Sequence, residues 1–370
     1  MEIIDAEAIP VEATVAPLEA GGLAPYVGKF SSVTSVERVL VRLEADDGTE
    51  GWGEIRPVPS VDATVATLEA DVFPEAVGRA VGEIRPFLAA FQYEYVQLDP
   101  YIAAVEMAMW DLHGRALGVP VHALLGGSVD ESVAIAAPLG ILDEETARAE
   151  AERIASAGYD VLKTKGGRDW QADVERVIAM DEAADGELDF RLDPNQGYTV
   201  EEAVRVAARL EDAGVYLEYF EQPVRVDSVG TYKQLRHRLR TPIGVNEDTY
   251  FRGNLFALVR EDAIDVAVVD IAPSGGILRC REQVAVAAEA GLSVAHHDAF
   301  DLGVKKAAVL HTVASTPAIN LATDTVYPAW ADRILETPLA VAAGEMAVPD
   351  GPGLGIQVDR ARVEALRLDT

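Results

Sequence analysis

Polar residues that can move protons or bind metal ions follow a series of strand-like segments in the middle of the chain. Each segment is rich in Val, Ile and Leu, and a helix-like stretch separates it from the next. The residues at the segment ends are Lys163, Lys165, Asp193, Glu221, Asn246, Glu247, Asp270, His296 and His297. Brought together, these residues would suit metal-assisted removal of a proton next to a carboxylate.

The alternation of strands and helices predicts a parallel barrel that would bring these ends together. From residue 131 on, eight strands are predicted: VAIAAPL, YDVLKTK, DFRLD, YLEYFE, TPIGVNE, DVAVVD, LSVAHH and AINLATD. In a (β/α)8 barrel the C-terminal ends of all strands lie at one mouth, where active sites form. An open doubly wound sheet is the alternative, but it would more naturally carry a glycine-rich phosphate-binding loop, and the sequence has no GxGxxG or Walker motif.

The first third of the chain does not follow this alternation. The strand-like runs VERVLVRLEA and TEGWGEI flank the turn signal DDG. A helical pattern follows in PYIAAVEMAMWDLHGRALG, where Gly118 and Pro120 are expected to end the helix. A chain of 370 residues leaves room for such an α+β domain beside a barrel of roughly 250 residues. The tail VPDGPGLGIQVD leaves the barrel pattern and is expected to pack on this first domain.

Oxygen-bearing residues on three successive strands predict a magnesium site. Asp193, Glu221 and one residue of the pair Asn246 and Glu247 would supply hard oxygen ligands, which Mg²⁺ prefers. Side chains alternate along a strand, so Asn246 and Glu247 are expected to point in different directions. Only one of the two would then be a ligand.

The lysines and histidines predict acid-base groups on two sides of the same site. Lys163 and Lys165 are two residues apart and share one face of their strand, and a nearby cation should lower the pKa of one of them. Asp270, at the end of the sixth of the eight predicted strands, could fix the tautomer of His296 on the seventh, whereas His297 is expected to point away. Either the lysine or the histidine can act as the base, with the other as the acid.

Composition restricts the possible partners. The chain has 62 acidic and 31 basic residues, a balance that repels nucleic acid and anionic membranes. It has no apolar run of about 18 residues or more, no secretion signal, and a single cysteine, Cys280, so we expect a cytoplasmic enzyme. Of the basic residues only six are lysines. We interpret the acidic surface as suited to a high-salt (halophilic) cytoplasm rather than to binding a basic partner.

Several motifs resemble the enolase superfamily, in its mandelate racemase and muconate lactonizing branch. They are, in order, AVEMAMWDLHGRALGVPVHALLGG, KTK, DPNQGY, EQP and VPDGPGLG. The resemblance implies the fold class α/β, as a modified (β/α)8 TIM barrel with an N-terminal α+β capping domain. The capping domain would span residues 1–125, completed by 335–370, and a (β/α)7β-type barrel would span 126–334.

The resemblance also implies roles for single residues. Lys165 would be the base, assisted by Lys163, and Mg²⁺ would be the cofactor. The ligands would include Asp193 and Glu221, and the dyad would consist of Asp270 and His296.

Further stretches resemble the glucarate dehydratase subgroup, including LKTKGG, FRLDPN and ATDTVYPAW. This resemblance favours Asn246 as the third ligand, whereas mandelate racemase-like members would use Glu247. The loop EAGGLAPYVGKFSS lacks a histidine that the subgroup uses for substrate, so a diacid sugar is not expected. Candidate substrate-binding residues are Tyr26, Lys29, Arg56, Asn195 and Asp324.

The predicted function is a Mg²⁺-dependent dehydratase of a hydroxy acid, specifically a sugar acid. A racemase, epimerase or cycloisomerase is the alternative, because it would use the same residues. A catalytically inactive barrel is a third possibility, and the complete set of residues argues against it. We expect a small-molecule carboxylate substrate and a homo-oligomer, from dimer to octamer, with no nucleic-acid or membrane partner.

Overall fold

The computed structural model describes residues 1–91, 98–226, 228–251 and 253–369. An N-terminal antiparallel sheet with helices lies beside a barrel of parallel strands, as the fold class predicted. The boundaries proposed for the two domains stay predictions. Within the described residues, no helix is long and apolar enough to cross a membrane.

The N-terminal domain contains a three-stranded antiparallel sheet and a short hairpin. Its strands are β1 (Ile3–Thr14), β2 (Tyr26–Val27), β3 (Ser32–Val33), β4 (Ser35–Ala45) and β5 (Glu50–Ile55). The sheet has the order β1-β4-β5, and β2 pairs with β3. The predicted hairpin is therefore confirmed as β4 and β5, whereas the sequence analysis did not identify β1.

Helices pack against this sheet. They are α1 (Val61–Thr67), a π-helical turn (Leu68–Val72), α2 (Phe73–Ala76), α3 (Ile84–Ala90) and α4 (Asp99–Leu117). Helix α4 is the predicted one, and it ends at Gly118, whose φ of 69° is left-handed and therefore favours glycine. Apolar residues of this helix are buried, among them Ile102 and Met109.

The barrel strands occur where the sequence predicted them, although several are shorter. They are β6 (Ser132–Leu139), β7 (Val161–Lys165), β8 (Asp189–Asp193), β9 (Leu217–Glu221), β10 (Ile243–Val245), β11 (Val266–Val269), β12 (Ser293–His296) and β13 (Thr323–Asp324). Neighbouring strands from β6 to β12 pair in parallel, and β13 pairs with β6. The first and last strands are thus adjacent, as a barrel requires.

Helices alternate with these strands. They are α5 (Val121–Leu124), α6 (Glu144–Ser156), α7 (Trp170–Ala183), α8 (Val200–Asp212), α9 (Val229–Arg238), α10 (Asn254–Arg260), α11 (Ile271–Ser274), α12 (Ile277–Glu289) and α13 (Val304–Ala314). Among the described residues, 3₁₀ turns also occur at Leu18–Ala20, Glu247–Tyr250 and Tyr327–Ala329. The chain finishes with β14 (Val341–Ala342), β15 (Glu345–Ala347) and α14 (Arg360–Ala365).

Strands β10 and β12 end earlier than predicted, and both differences affect the site. Strand β10 ends at Val245, so Asn246 and Glu247 lie beyond it, and Glu247 opens a 3₁₀ turn. Strand β12 ends at His296, so His297 is the first residue after the strand. The alternation of side chains along a strand therefore does not decide which member of either pair faces the barrel mouth.

Buried carboxylates of the N-terminal domain attach it to the barrel. The Glu106 carboxylate accepts hydrogen bonds from the backbone N–H groups of Ile277 (2.8 Å) and Leu278 (3.1 Å), at the start of α12. The Glu54 carboxylate likewise accepts hydrogen bonds from the backbone N–H groups of Leu302 (2.7 Å) and Lys305 (3.0 Å), around the start of α13. Because these N–H groups have no partner inside their own helix, the carboxylates satisfy buried donors and fix the position of the domain over the strand ends.

The C-terminal tail packs on the N-terminal sheet, as predicted. The Leu368 N–H donates to the Pro10 carbonyl at 3.0 Å, and the Glu12 N–H donates to the Leu366 carbonyl at 3.0 Å. Both contacts lie along β1, so the tail covers the strand that begins the chain.

Candidate active site

A cavity of about 300 Å³ lies at the C-terminal ends of the barrel strands and is lined by residues of both domains. The predicted site residues that line it are Lys163, Lys165, Asn195, Asn246, Glu247, Asp324, Tyr26 and Arg56. His297 also lines it, whereas His296 does not. The tertiary structure thus brings most of the predicted residues to one enclosed space.

Two lysines of β7 form the positive side of this cavity. Lys163 Nζ lies 2.7 Å from both Glu221 Oε1 and Asp324 Oδ2. Lys165 Nζ lies 2.5 Å from Asp193 Oδ2 and 2.8 Å from Asn195 Oδ1. Burial opposes the charge of each ammonium group, but the carboxylates outweigh it and raise both pKa values. The lowered pKa expected for one lysine depends on a bound cation and stays a prediction.

Carboxylates from three adjacent strand ends converge beside the lysines. Burial raises the pKa of Glu221 to about 8, and the nearby Asp193 carboxylate adds to this effect. Burial and Asp193 likewise raise the pKa of Glu247. Glu221 Oε2 and Glu247 Oε2 are buried and have no hydrogen-bond partner among the residues that the structure describes. Such orphaned oxygens in a crowd of negative charge fit a hard divalent cation of the Mg²⁺ type.

The carboxylates do not form a closed metal site as they stand. In the part of the chain that the structure describes, no group of three or more His, Cys, Asp or Glu side chains is arranged to hold a metal ion. Lys163 and Lys165 lie between these carboxylates and balance their negative charge. Lys163 contacts Asp193 and Glu221, and Lys165 contacts Asp193. The donor set nevertheless fits the cation by its chemistry, and the metal stays a prediction.

The third ligand position favours Glu247 over Asn246. Both polar atoms of the Asn246 amide have protein partners: Nδ2 donates to the Val268 carbonyl at 3.0 Å, and Oδ1 accepts from the Tyr250 hydroxyl at 2.9 Å. Glu247 keeps one oxygen without a partner and lies close enough to Asp193 for their charges to interact. The structure therefore favours Glu247, because β10 ends before this pair and Glu247 opens the 3₁₀ turn that follows, and the choice between the two ligands stays a prediction.

The structure also corrects the histidine of the predicted dyad. His296 is fully buried; its Nε2 accepts from the Ile271 N–H at 3.2 Å, and its Nδ1 lies 2.8 Å from the His297 carbonyl. His297 Nδ1 instead lies 3.3 Å from Asp270 Oδ2. Burial lowers the pKa of His296 to about 3, so this ring is neutral and structural. The side chain that faces both Asp270 and the cavity is that of His297, because it follows the last residue of β12.

Asp270 itself lies where the sequence predicted, at the end of β11. Its Oδ1 accepts from the Ala272 N–H at 2.9 Å, which holds the carboxylate at the start of α11. Burial opposes ionisation, but Lys305 outweighs it together with the neighbouring imidazoles, and the pKa of Asp270 falls well below its ordinary range. The group therefore acts as a fixed negative charge behind His297.

The candidate substrate residues do not all reach the cavity. Tyr26 is buried in its wall, and burial raises the pKa of its hydroxyl to about 12. Arg56 is exposed at the wall. Lys29 is not part of the lining, because its ammonium group donates to the Gly167 carbonyl. Asp324 holds Lys163 and also pairs with Arg191 at 3.2 Å, so its charge is already balanced by protein groups.

Some site residues were not identified from the sequence. The Tyr250 hydroxyl lies 3.3 Å from His297 Nδ1, and both residues line this cavity and also a second one of about 410 Å³. Lys305 on α13 lies behind Asp270. A buried lysine pair in the run GVKKAAV was a visible signal for Lys305, since lysine is costly inside a helix packed on a barrel. No comparable signal marked Tyr250.

Family models cover most of the chain. Residues 146–362 match the model described as enolase C-terminal domain-like. Residues 11–126 match the mandelate racemase / muconate lactonizing enzyme N-terminal domain. The chain belongs to this family of the enolase superfamily.

Relatives within the family catalyse different reactions. The chain is 28% identical to muconate cycloisomerase 1 of Rhodococcus opacus, over 97% of this chain and 98% of that protein. It is 33% identical to a probable glucarate dehydratase of Streptomyces coelicolor, over 72% of this chain and 65% of that protein. The structure of the L-Ala-D/L-Glu epimerase of Bacillus subtilis superposes with a TM-score of 0.89 at 25% identity, covering 96% and 99% of the two chains. The protein is therefore an enzyme of the enolase superfamily, and its relatives include lyases and isomerases.

Proposed function

We propose that this protein removes the α-proton of a small hydroxy acid and then eliminates water, with Mg²⁺ as its cofactor. One observation carries the proposal: Lys165 and His297 line the same cavity from β7 and from the end of β12. The carboxylate-bearing strands β8, β9 and β10 lie between β7 and β11 in the sheet. Two acid-base groups thus reach a bound molecule from different sides, next to a cluster of metal-type ligands.

The residues that would hold the cation are Asp193, Glu221 and Glu247. Two of them have a buried oxygen without a partner, and all three belong to adjacent strand ends. When bound there, Mg²⁺ would supply positive charge that favours the ionised form of the substrate and lowers the pKa of a neighbouring lysine.

Each acid-base residue has a defined part in the elimination. Lys165 accepts the α-proton when its amine is neutral, and the electron pair of the broken C–H bond forms the carbon-carbon double bond as the β-hydroxyl leaves. His297 donates a proton to the departing hydroxide through Nε2, because Nδ1 faces Asp270. Water is released. When the α-carbon of the substrate also carries a hydroxyl, as in a 2,3-dihydroxy acid, the product is an enol, which takes up a proton at the β-carbon and becomes a 2-keto acid.

Epimerisation or racemisation is the second candidate, and the same observation favours it. If Lys165 takes the α-proton and His297 returns one from another side, the configuration inverts and no bond to oxygen breaks. The two reactions differ in whether the substrate carries a β-hydroxyl and whether His297 reaches it.

A library of sugar acids and other small hydroxy acids, incubated with the protein and Mg²⁺, distinguishes these candidates. Formation of a 2-keto acid supports dehydration, whereas exchange of the α-proton with D₂O without keto-acid formation supports epimerisation. Lys165→Ala should lower the rate of whichever of these two reactions is observed by a factor of about 10² to 10⁴, because it removes the base. Lys233→Ala is the matched control, since Lys233 pairs with Glu261 away from the cavity. Near-normal turnover in Lys165→Ala, or no exchange with any acid in the library, would contradict the proposal.

A further inference from the structure

The lysines of this chain are concentrated at the site. Of 31 basic residues six are lysines, and the surface is otherwise supplied with arginine. Lys163, Lys305 and Lys306 are buried, and Lys165 is largely so. A buried ammonium group loses its hydration, so it persists only where acceptors and opposite charges replace the water. Lys163 and Lys165 have a place in the proposed reaction, whereas Lys305 and Lys306 do not.

Lys305 is fully satisfied by the carboxylates around it. Its Nζ lies 3.0 Å from Asp270 Oδ1, 3.1 Å from Asp270 Oδ2 and 2.8 Å from Asp301 Oδ1. An ammonium group has three N–H donors, and here three carboxylate oxygens surround it. A planar guanidinium would not match three oxygens from two carboxylates in this way, which explains a lysine in a chain that otherwise favours arginine.

The contact with Asp270 matters because His297 uses the same oxygen. Asp270 Oδ2 lies 3.3 Å from His297 Nδ1 and 3.1 Å from Lys305 Nζ. A carboxylate that already faces an ammonium group attracts an imidazolium less strongly, since the two positive charges oppose each other. The orientation of Asp270 is also fixed from two directions, by Lys305 and by the Ala272 N–H.

Other titratable groups lie around Asp270, His297 and Lys305 on the surrounding elements. They are Glu54, Tyr250, His296, Asp298, Lys306 and Asp324. Burial raises the pKa of the Cys280 thiol, which also lies near Asp270, so this thiol is uncharged. Lys306 does not compete for Asp270, because it pairs with Asp298 at 2.7 Å and with the Asp324 carbonyl at 2.9 Å.

We propose that Lys305 is a positioning residue that holds Asp270 toward His297 and weakens the stabilisation that Asp270 gives to a protonated His297. Lys305 thereby keeps the protonated ring of His297 able to donate its proton to the substrate. Asp301 opposes Lys305 by sharing its ammonium group, so the two residues adjust the charge behind His297 in opposite senses.

The test is a titration of the His297 ring in the full-length protein, followed by NMR of protein labelled with ¹⁵N-histidine. The signal is assigned by its loss in His297→Asn, among the six histidines of the chain. Although the inference assumes the proposed role of His297, the titration needs no substrate. Failure of this test is therefore distinguishable from failure of the proposed function.

Lys305→Met should move the titration of His297 to higher pH by about one pH unit, because removing a nearby positive charge favours the imidazolium. Asp301→Asn should move it to lower pH, because Lys305 then faces Asp270 alone and a negative charge is lost. A merely structural role would not produce shifts of opposite sign.

Two matched variants serve as controls. Lys306→Met removes the adjacent buried lysine and should shift the titration much less, and Lys233→Met at the surface should not shift it. Circular dichroism establishes that each variant is folded. An unchanged titration in folded Lys305→Met would overturn the proposal. If Lys305→Met does not fold, an unchanged or raised titration in Asp301→Asn overturns it instead.

Discussion

The adjacent residues His296 and His297 should respond to the same substitution in opposite ways. His296→Asn removes a buried ring that accepts from the Ile271 N–H and lies 2.8 Å from the His297 carbonyl. Asparagine can replace at most part of this pattern, and an unsatisfied buried N–H costs about 1–3 kcal/mol. Together with the space left by the ring, we expect a loss of roughly 2–4 kcal/mol in the free energy of unfolding.

His297→Asn should leave stability nearly unchanged. The side chain is 13% exposed, and its contacts with Asp270 and Tyr250 are both 3.3 Å long, so the expected loss is below about 1 kcal/mol. Its effect on the reaction should be large, because removing a general acid or base lowers the rate by about 10² to 10⁴. This corresponds to roughly 3–5 kcal/mol of activation free energy.

Denaturant unfolding and α-proton exchange, measured on both variants and normalised to folded protein, separate the two effects. The stability measurement needs no substrate, and the exchange measurement uses the acid identified from the library. An inactive but stable His296→Asn beside an active but unstable His297→Asn would refute the placement of these rings.

Two further predictions concern the cation and the acidic surface. Glu247→Gln should weaken Mg²⁺ binding more than Asn246→Ala. The reason is that Glu247 has a buried oxygen without a partner among the described residues, whereas the Asn246 amide is already hydrogen-bonded. Calorimetry with Mg²⁺ alone measures both affinities, and the reverse order would return the ligand role to Asn246. The thermal midpoint should rise between dilute buffer and molar KCl, because 62 acidic residues against 31 basic ones repel one another and salt screens this repulsion. A flat or falling midpoint in a calorimetric scan would contradict the interpretation of the surface as adapted to high salt.

Much of the fold could be predicted because apolar strands and their ends are local features. The segment DFRLD coincides with β8, and LEYFE corresponds to β9. Gly158 and Gly214, which lie just after α6 and α8 and before β7 and β9, have left-handed φ values of 82° and 83°. These positions follow from chain-local preferences, so the sequence was sufficient to locate them.

The sequence by itself determined which residue types stand at the barrel mouth. They are two lysines, three carboxylates for a metal ion, and an aspartate followed on the next strand by a pair of histidines. Only the tertiary structure decided which of two neighbours faces the cavity. For Asn246 and Glu247, and for His296 and His297, the strand ends within or just before the pair, so the period of two no longer sets the direction. Likewise, Lys305 of α13 meets Asp270 at the end of β11 through a contact between segments that are distant in the chain. Local pattern fixes the type and place of a residue, whereas backbone turns and long-range packing fix its partners.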